Sequence, residues 1–214
     1  MSGGESAVGN LARLQARAVG ERELATFFTE ARTARAFLPE PVPRELLERI
    51  VRLAGLGPTS NNAQPMRLVF VESPQARERL APLLSRGNVA KVAEAPIVAI
   101  VAADQRYHEH LERLSGPLTP EKRASFADPE RAPQLREFAF TNATLQGAYL
   151  MLAARAVGLD VAPIGGFDRP GIDAAFFPGG RFAAIWLVLL GYADESRQRE
   201  RQPRLPFEEV TSFV

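Results

Sequence analysis

Three short apolar runs stand far apart in this chain: residues 68–71 (Leu-Val-Phe-Val), 97–101 (Ile-Val-Ala-Ile-Val) and 182–190. Each is rich in β-branched or aromatic residues and reads as a buried strand. None has a second strand close behind it, so hairpins are not predicted. The longest apolar run, 182–193, has twelve residues, short of the roughly 20 that a membrane helix needs. Few, separated strands among helical stretches predict an α+β chain, with a small central sheet covered by helices.

The intervening segments supply those helices. Leu24, Phe27, Phe28 and Ala31 recur at helical spacing over about 20–32. Pro43 opens a second helix, whose apolar face includes Leu46, Leu47, Ile50 and Ala54, with Gly55 near its end. A polar loop, 57–65, follows. Ser73-Pro74 starts a helix to about 84, and the longest helix covers about 134–157, stopped by Gly158. A short strand, 160–164, precedes Gly165-Gly166. Residues 104–133, rich in Pro, Glu and Arg, read as a short helix and a long loop of the kind that forms lids or binding segments. Residues 1–20 have neither the basic nor the apolar region of a signal peptide and read as a flexible tail, leaving 21–214 as one domain in the cytoplasm.

Composition removes several kinds of chemistry. The formal charge is +1, which argues against a nucleic-acid face. There is no cysteine, and only two histidines, so disulfides, thiol catalysis and Cys-ligated metals are excluded. The pair in His108-Glu109-His110 would point to different faces of a helix and reads as a solvated surface. No phosphate-binding glycine motif follows a strand, and no G-x-S-x-G nucleophile motif is present.

Four segments carry a more specific pattern. They are Glu30-Ala31-Arg32-Thr33-Ala34-Arg35-Ala36-Phe37 with Pro41-Val42-Pro43, then Gly57-Pro58-Thr59-Ser60-Asn61-Asn62-Ala63-Gln64-Pro65, then Asn88-Val89-Ala90-Lys91 before Ala95-Pro96, and finally Gly158-Leu159-Asp160-Val161-Ala162-Pro163-Ile164-Gly165-Gly166. Arg201-Gln202-Pro203-Arg204 completes the set. In order and spacing they resemble the FMN-dependent nitroreductase family over nearly the whole chain. Gly87-Asn88-Val89-Ala90-Lys91, Thr144-Leu145-Gln146-Gly147-Ala148-Tyr149-Leu150 and Asp173-Ala174-Ala175-Phe176-Phe177 are most similar to its malonic semialdehyde reductase branch.

The resemblance implies a small mixed sheet flanked by helices, an interlocking C-terminal segment and a homodimer with FMN at the subunit interface. It implies a ping-pong cycle in which NADH or NADPH reduces FMN at N5 and an oxidised acceptor, such as malonic semialdehyde, then takes the hydride; the alternative readings are a broad-specificity nitro or quinone reductase and a non-catalytic flavin-binding protein. Arg32, Thr33 and Arg204, with Arg201, fall at the phosphate; arginine's planar fork suits that dianion. Lys91 and Asn88 fall beside the part of the ring that gains negative charge, where a fixed cation stabilises the reduced form. Arg35 falls in the same region or toward the nicotinamide. Pro163, Ile164, Gly165 and Gly166 fall against the ring, and Ser60, Asn61 and Asn62 reach the flavin held by the other subunit. No side chain is implied as an obligatory acid or base, because the cofactor carries the reactivity. Two departures stand out: Ala31 occupies the place of a phosphate-binding arginine, and Gly165 that of a glutamate or serine.

Overall fold

The computed structural model describes residues 18–214. The expected tail therefore lies, up to residue 17, outside the described residues. Among the described residues, 18–31 and 32–214 form two compact units. In the first unit, helix α1 (Glu21–Leu24) is shorter than its periodicity suggests and widens into a π turn at Ala25–Thr29. The Glu30 amide donates to the Ala25 carbonyl at 3.0 Å, a wider step than an α-helix makes. The run Thr26-Phe27-Phe28-Thr29 consists of β-branched and aromatic residues that lose rotamer freedom in a helix.

The second unit is built on four strands: β1 (Met66–Val71), β2 (Ile97–Asp104), β3 (Asp160–Ile164) and β4 (Phe182–Gly191). Their spatial order is β1-β2-β4-β3, and every neighbouring pair is antiparallel. The expected mixed sheet is corrected accordingly. Strands β2 and β3 do run the same way, joined through the long helix, but β4 inserts between them and opposes both. The parallel component that remains is a single bridge from Thr33 to Val161 on the outer edge of β3.

Both faces of the sheet are covered. Val98, Ile100 and Ala102 of β2 pack with Leu187 and Leu189 of β4 on one face. Leu80 of α3 (Pro74–Leu80), Val92 of α4 (Val89–Glu94) and Ile172 of α8 (Arg169–Phe176) cover them. The alternate residues Ile97, Ala99, Val101, Val188 and Leu190 face α2 (Arg44–Ala54) and α7 (Ala132–Ala156). This alternation explains why β2 is buried along its whole length: a central strand covered on both faces is apolar throughout. A β-bulge opposite Val101 and Ala102 breaks the pattern, so Ile185 and Trp186 both face the α7 side. It turns the Trp186 ring toward the end of β3.

Residues 104–133 are more helical than expected. They form a 3-10 turn at Tyr107–His110, α5 (Leu111–Ser115) and α6 (Pro120–Ser125). Thr119 caps α6 by accepting from the Lys122 amide at 3.2 Å, with Pro120 in its first turn. After β4 the chain is exposed throughout 198–214 apart from the half-buried Gln198, and it carries α9 (Phe207–Val210). Among the described residues no helix is long and apolar enough to cross a membrane.

Candidate cofactor site at the edge of the sheet

The outer edge of β3 gathers most of the residues singled out above. The Ala34 amide donates to the Val161 carbonyl at 3.0 Å, and Thr33 bridges Val161. This fixes the 32–37 segment beside β3, with Ala34 and Ala36 buried and Thr33 and Arg35 exposed. Pro163 and Gly165 are exposed along the same strand. Ile164 is only 4% exposed and its side chain belongs to the core, so it offers a ligand its backbone alone.

The turn after β3 is held tightly. Asn88 donates from Nδ2 to the Gly166 carbonyl at 2.9 Å, and the Ser85 amide donates to the same oxygen at 3.1 Å. A Cβ on Gly166 would sit 2.8 Å from Asn88 Nδ2, and one on Gly165 would sit 3.2 Å from the Trp186 ring. Glycine is therefore demanded first by the protein's own side chains packed behind the turn. Asn88 has a role that sequence did not assign to it, since it anchors the glycine turn to the start of α4.

One turn into α4, Lys91 is half-buried. Burial first, and the nearby Arg35 guanidinium second, hold its ammonium below the usual lysine range. No carboxylate pairs with it among the described residues. The half-buried Lys91 ammonium and the exposed Arg35 guanidinium, with no carboxylate paired to either among the described residues, lie beside an exposed strand edge and a glycine turn and suit an anionic, flat ligand.

The arginines predicted at a phosphate are spread along this edge and the C-terminal segment. Arg32 is half-buried next to Thr33. Arg155, at the end of α7, is held below its ordinary range by burial; Asp160 opposes that effect and the charge of Arg201 adds to it. Arg204 donates to the carbonyls of Gln202 at 2.8 Å and Pro203 at 3.1 Å.

Ser60, Asn61 and Asn62 are not brought to this group within one chain. They form a 3-10 turn ahead of β1, on the opposite edge of the sheet. Three strand spacings, about 14 Å, separate the two edges. The turn is strained, with Asn61, Asn62 and Gln64 all at positive φ. It is tied down from α7 and α5. The Ser60 amide donates to Asn142 Oδ1 at 2.7 Å, the Met66 amide to Gln146 Oε1 at 2.9 Å, and Asn62 Nδ2 to the Leu114 carbonyl at 3.0 Å.

Residues 29–186 match the nitroreductase family. The chain belongs to that family. A Burkholderia lata protein provisionally named NADH dehydrogenase/NAD(P)H nitroreductase is 45% identical over 90% of this chain and 96% of its own length. A Ralstonia pickettii protein of similar name, HadB, is 45% identical over 89% of this chain and 97% of its own. Among solved structures, a nitroreductase-type protein of Exiguobacterium sibiricum in complex with FMN superposes with a TM-score of 0.75, at 25% identity over 92% of this chain and 98% of that one.

For this nitroreductase-family chain, two features of the site escaped the sequence. One is the pair of buried amides, Asn142 and Gln146, both 3% exposed, which hold the 57–65 loop. Their signal was two amides four residues apart on the apolar face of α7. The other is Asp104, fully buried at the end of β2. It accepts from Arg67 at 2.9 Å and from Arg181 Nε and Nη2 at 3.0 Å each, with His110 Nε2 at 3.6 Å. The expected solvated His108-Glu109-His110 face is thereby corrected. His110 joins this network, and His108 stacks on Phe126 at 4.8 Å with its Nδ1 buried.

Proposed function

We propose that the protein is an FMN-dependent NAD(P)H oxidoreductase that works as a homodimer. The observation carrying this reading is the Lys91–Arg35 cation pair, without a carboxylate partner among the described residues, beside the exposed edge of β3 and the Gly165-Gly166 turn. The names of the relatives support it. FMN, when bound, supplies hydride transfer between a nicotinamide and an acceptor.

This chain's own residues bind and orient. Lys91 and Arg35 place positive charge where the reduced ring becomes anionic, which stabilises that form. Asn88 fixes the Gly165-Gly166 turn, leaving the Pro163–Gly165 backbone edge open to a planar ring. Arg32, Thr33 and Arg204, with Arg201, take the phosphate, each charged hydrogen bond contributing about 1.5–3 kcal/mol.

Two arguments support the dimer. Ser60, Asn61 and Asn62 lie on the far edge of the sheet, so only a second copy brings their like to the flavin held here. Phe140, Leu145 and Tyr149 on α7, with Leu56, also leave apolar surface exposed, and Leu205, Phe207, Val210 and Phe213 add to it in the C-terminal segment. The finer reading, reduction of malonic semialdehyde, rests on the sequence stretches quoted for that branch; the relatives' names favour a wider range of acceptors. Its place is the cytoplasm, the compartment where NAD(P)H is at hand.

The test is an FMN titration of the purified protein, followed by flavin fluorescence and by size. One FMN per chain in a particle of two chains is expected. A protein that binds no FMN when saturated with it would overturn the proposal.

A further inference from the structure

Residues 104–133 close a cavity of about 300 Å³ against the start of α7. Three rings wall it. Tyr107 and Phe138 stack at 4.8 Å, and Phe126 meets Tyr107 edge-on at 6.4 Å. Such spacings are those at which flat rings attract one another.

Besides the amides of Asn61 and Gln134, three polar groups share this space. Tyr107 lines the cavity and is 3% exposed, and its hydroxyl has no hydrogen-bond partner among the described residues. Arg131 is half-buried, and its guanidinium makes no ion pair or hydrogen bond among the described residues. Lys122 sits with its ammonium 5.5 Å from the centre of the Phe126 ring. No aspartate or glutamate lines the cavity. Burial raises the Tyr107 pKa, with Arg131 acting against it, so the hydroxyl stays a donor at neutral pH. Asn61 lines the same space, which connects it to the loop that the proposed dimer brings to the flavin.

A slot of aromatic rings with three donors and no acid calls for a flat ring bearing an anion. Arginine's planar fork matches a carboxylate with two parallel hydrogen bonds. We propose that this cavity is the acceptor subsite and that it selects an aromatic carboxylate. The ring lies among Tyr107, Phe126 and Phe138, and the carboxylate meets Arg131, with Lys122 and the Tyr107 hydroxyl as further donors. The assignment as an acceptor subsite rests on the reductase reading; the selection of ligand does not.

The experiment titrates 4-nitrobenzoate, nitrobenzene and malonic semialdehyde into the FMN-loaded protein without NAD(P)H. 4-Nitrobenzoate should bind tighter than nitrobenzene by about tenfold or more, the scale of one charged hydrogen bond. Arg131→Gln should bring that ratio close to one and Lys122→Gln should reduce it. Lys122 is exposed, so its variant guards against a folding defect in the first. Equal binding of the two nitro compounds, or a ratio that survives both substitutions, overturns the proposal. Tighter binding of malonic semialdehyde than of 4-nitrobenzoate overturns the aromatic part. Benzoate should inhibit turnover competitively against a neutral quinone acceptor; inhibition of another type places the cavity outside the acceptor site. If NAD(P)H fails to bleach the flavin while Arg131-dependent binding persists, the reductase reading falls and the ligand selection stands.

Discussion

Lys91 shows how much a single residue can carry. Its ammonium is held below the usual range by burial and Arg35, and an anion beside it relieves both. Lys91→Gln should therefore weaken FMN binding and make the bound flavin harder to reduce, seen as a lower midpoint potential; an unchanged potential would remove Lys91 from the ring. Arg32→Ala and Arg204→Ala should each raise the FMN dissociation constant about tenfold or more, as loss of a charged hydrogen bond does. Gly166→Ala pushes a methyl to 2.8 Å from Asn88 Nδ2, and thermal unfolding should show a loss of about 1–3 kcal/mol, typical of overpacking. Lys91 is singled out in the sequence by the nitroreductase-like segment Asn88-Val89-Ala90-Lys91, helped slightly by the scarcity of lysine, two among 26 basic residues. Asn88's hold on Gly166 was not, because it spans 78 positions and neither residue signals the other.

At the level of elements, the strands were the most legible. The 160–164 strand has the predicted bounds, and β4 exceeds its predicted run by one residue, because continuous apolar runs bounded by polar sequence have few other uses. The arrangement of those strands was less so, since no local signal says that β4 slips between β2 and β3. The 104–133 segment was the least legible. Its start is held by Asp104, a lone acid at the end of an apolar strand, through the Arg106 amide and His110. Burial opposes the ionised form of Asp104, but hydrogen bonds from Arg181 and the Arg106 amide, with the charge of Arg67, outweigh it and leave the carboxyl below its usual range. A group with a lowered folded pKa adds stability above its unfolded value, about 4, and that stability disappears as pH falls through the folded value. Asp104→Asn should cost about 3 kcal/mol near neutral pH by stranding Arg67 and Arg181. In denaturant unfolding, the gap between wild type and variant should hold from pH 5 to 8 and shrink below about pH 4; a gap that persists in acid would mean the charge of Asp104 is not what matters.

For the whole molecule, the two halves of the site lie on opposite edges of one sheet, and a second copy is what joins them. Placing a charge on the exposed apolar surface, as in Tyr149→Asp or Phe207→Asp, should shift the protein toward monomer in size measurements and lower FMN occupancy in parallel. Loss of the dimer with full FMN binding would show that one chain suffices. The central claim is that this chain holds a flavin that a nicotinamide reduces. Anaerobic addition of NADH or NADPH to the FMN-loaded protein, read at the visible flavin band, tests it directly. Bleaching by one of the two, with recovery of the band when a nitroaromatic or quinone is added, is the expected result; a band unchanged by both nicotinamides would contradict it.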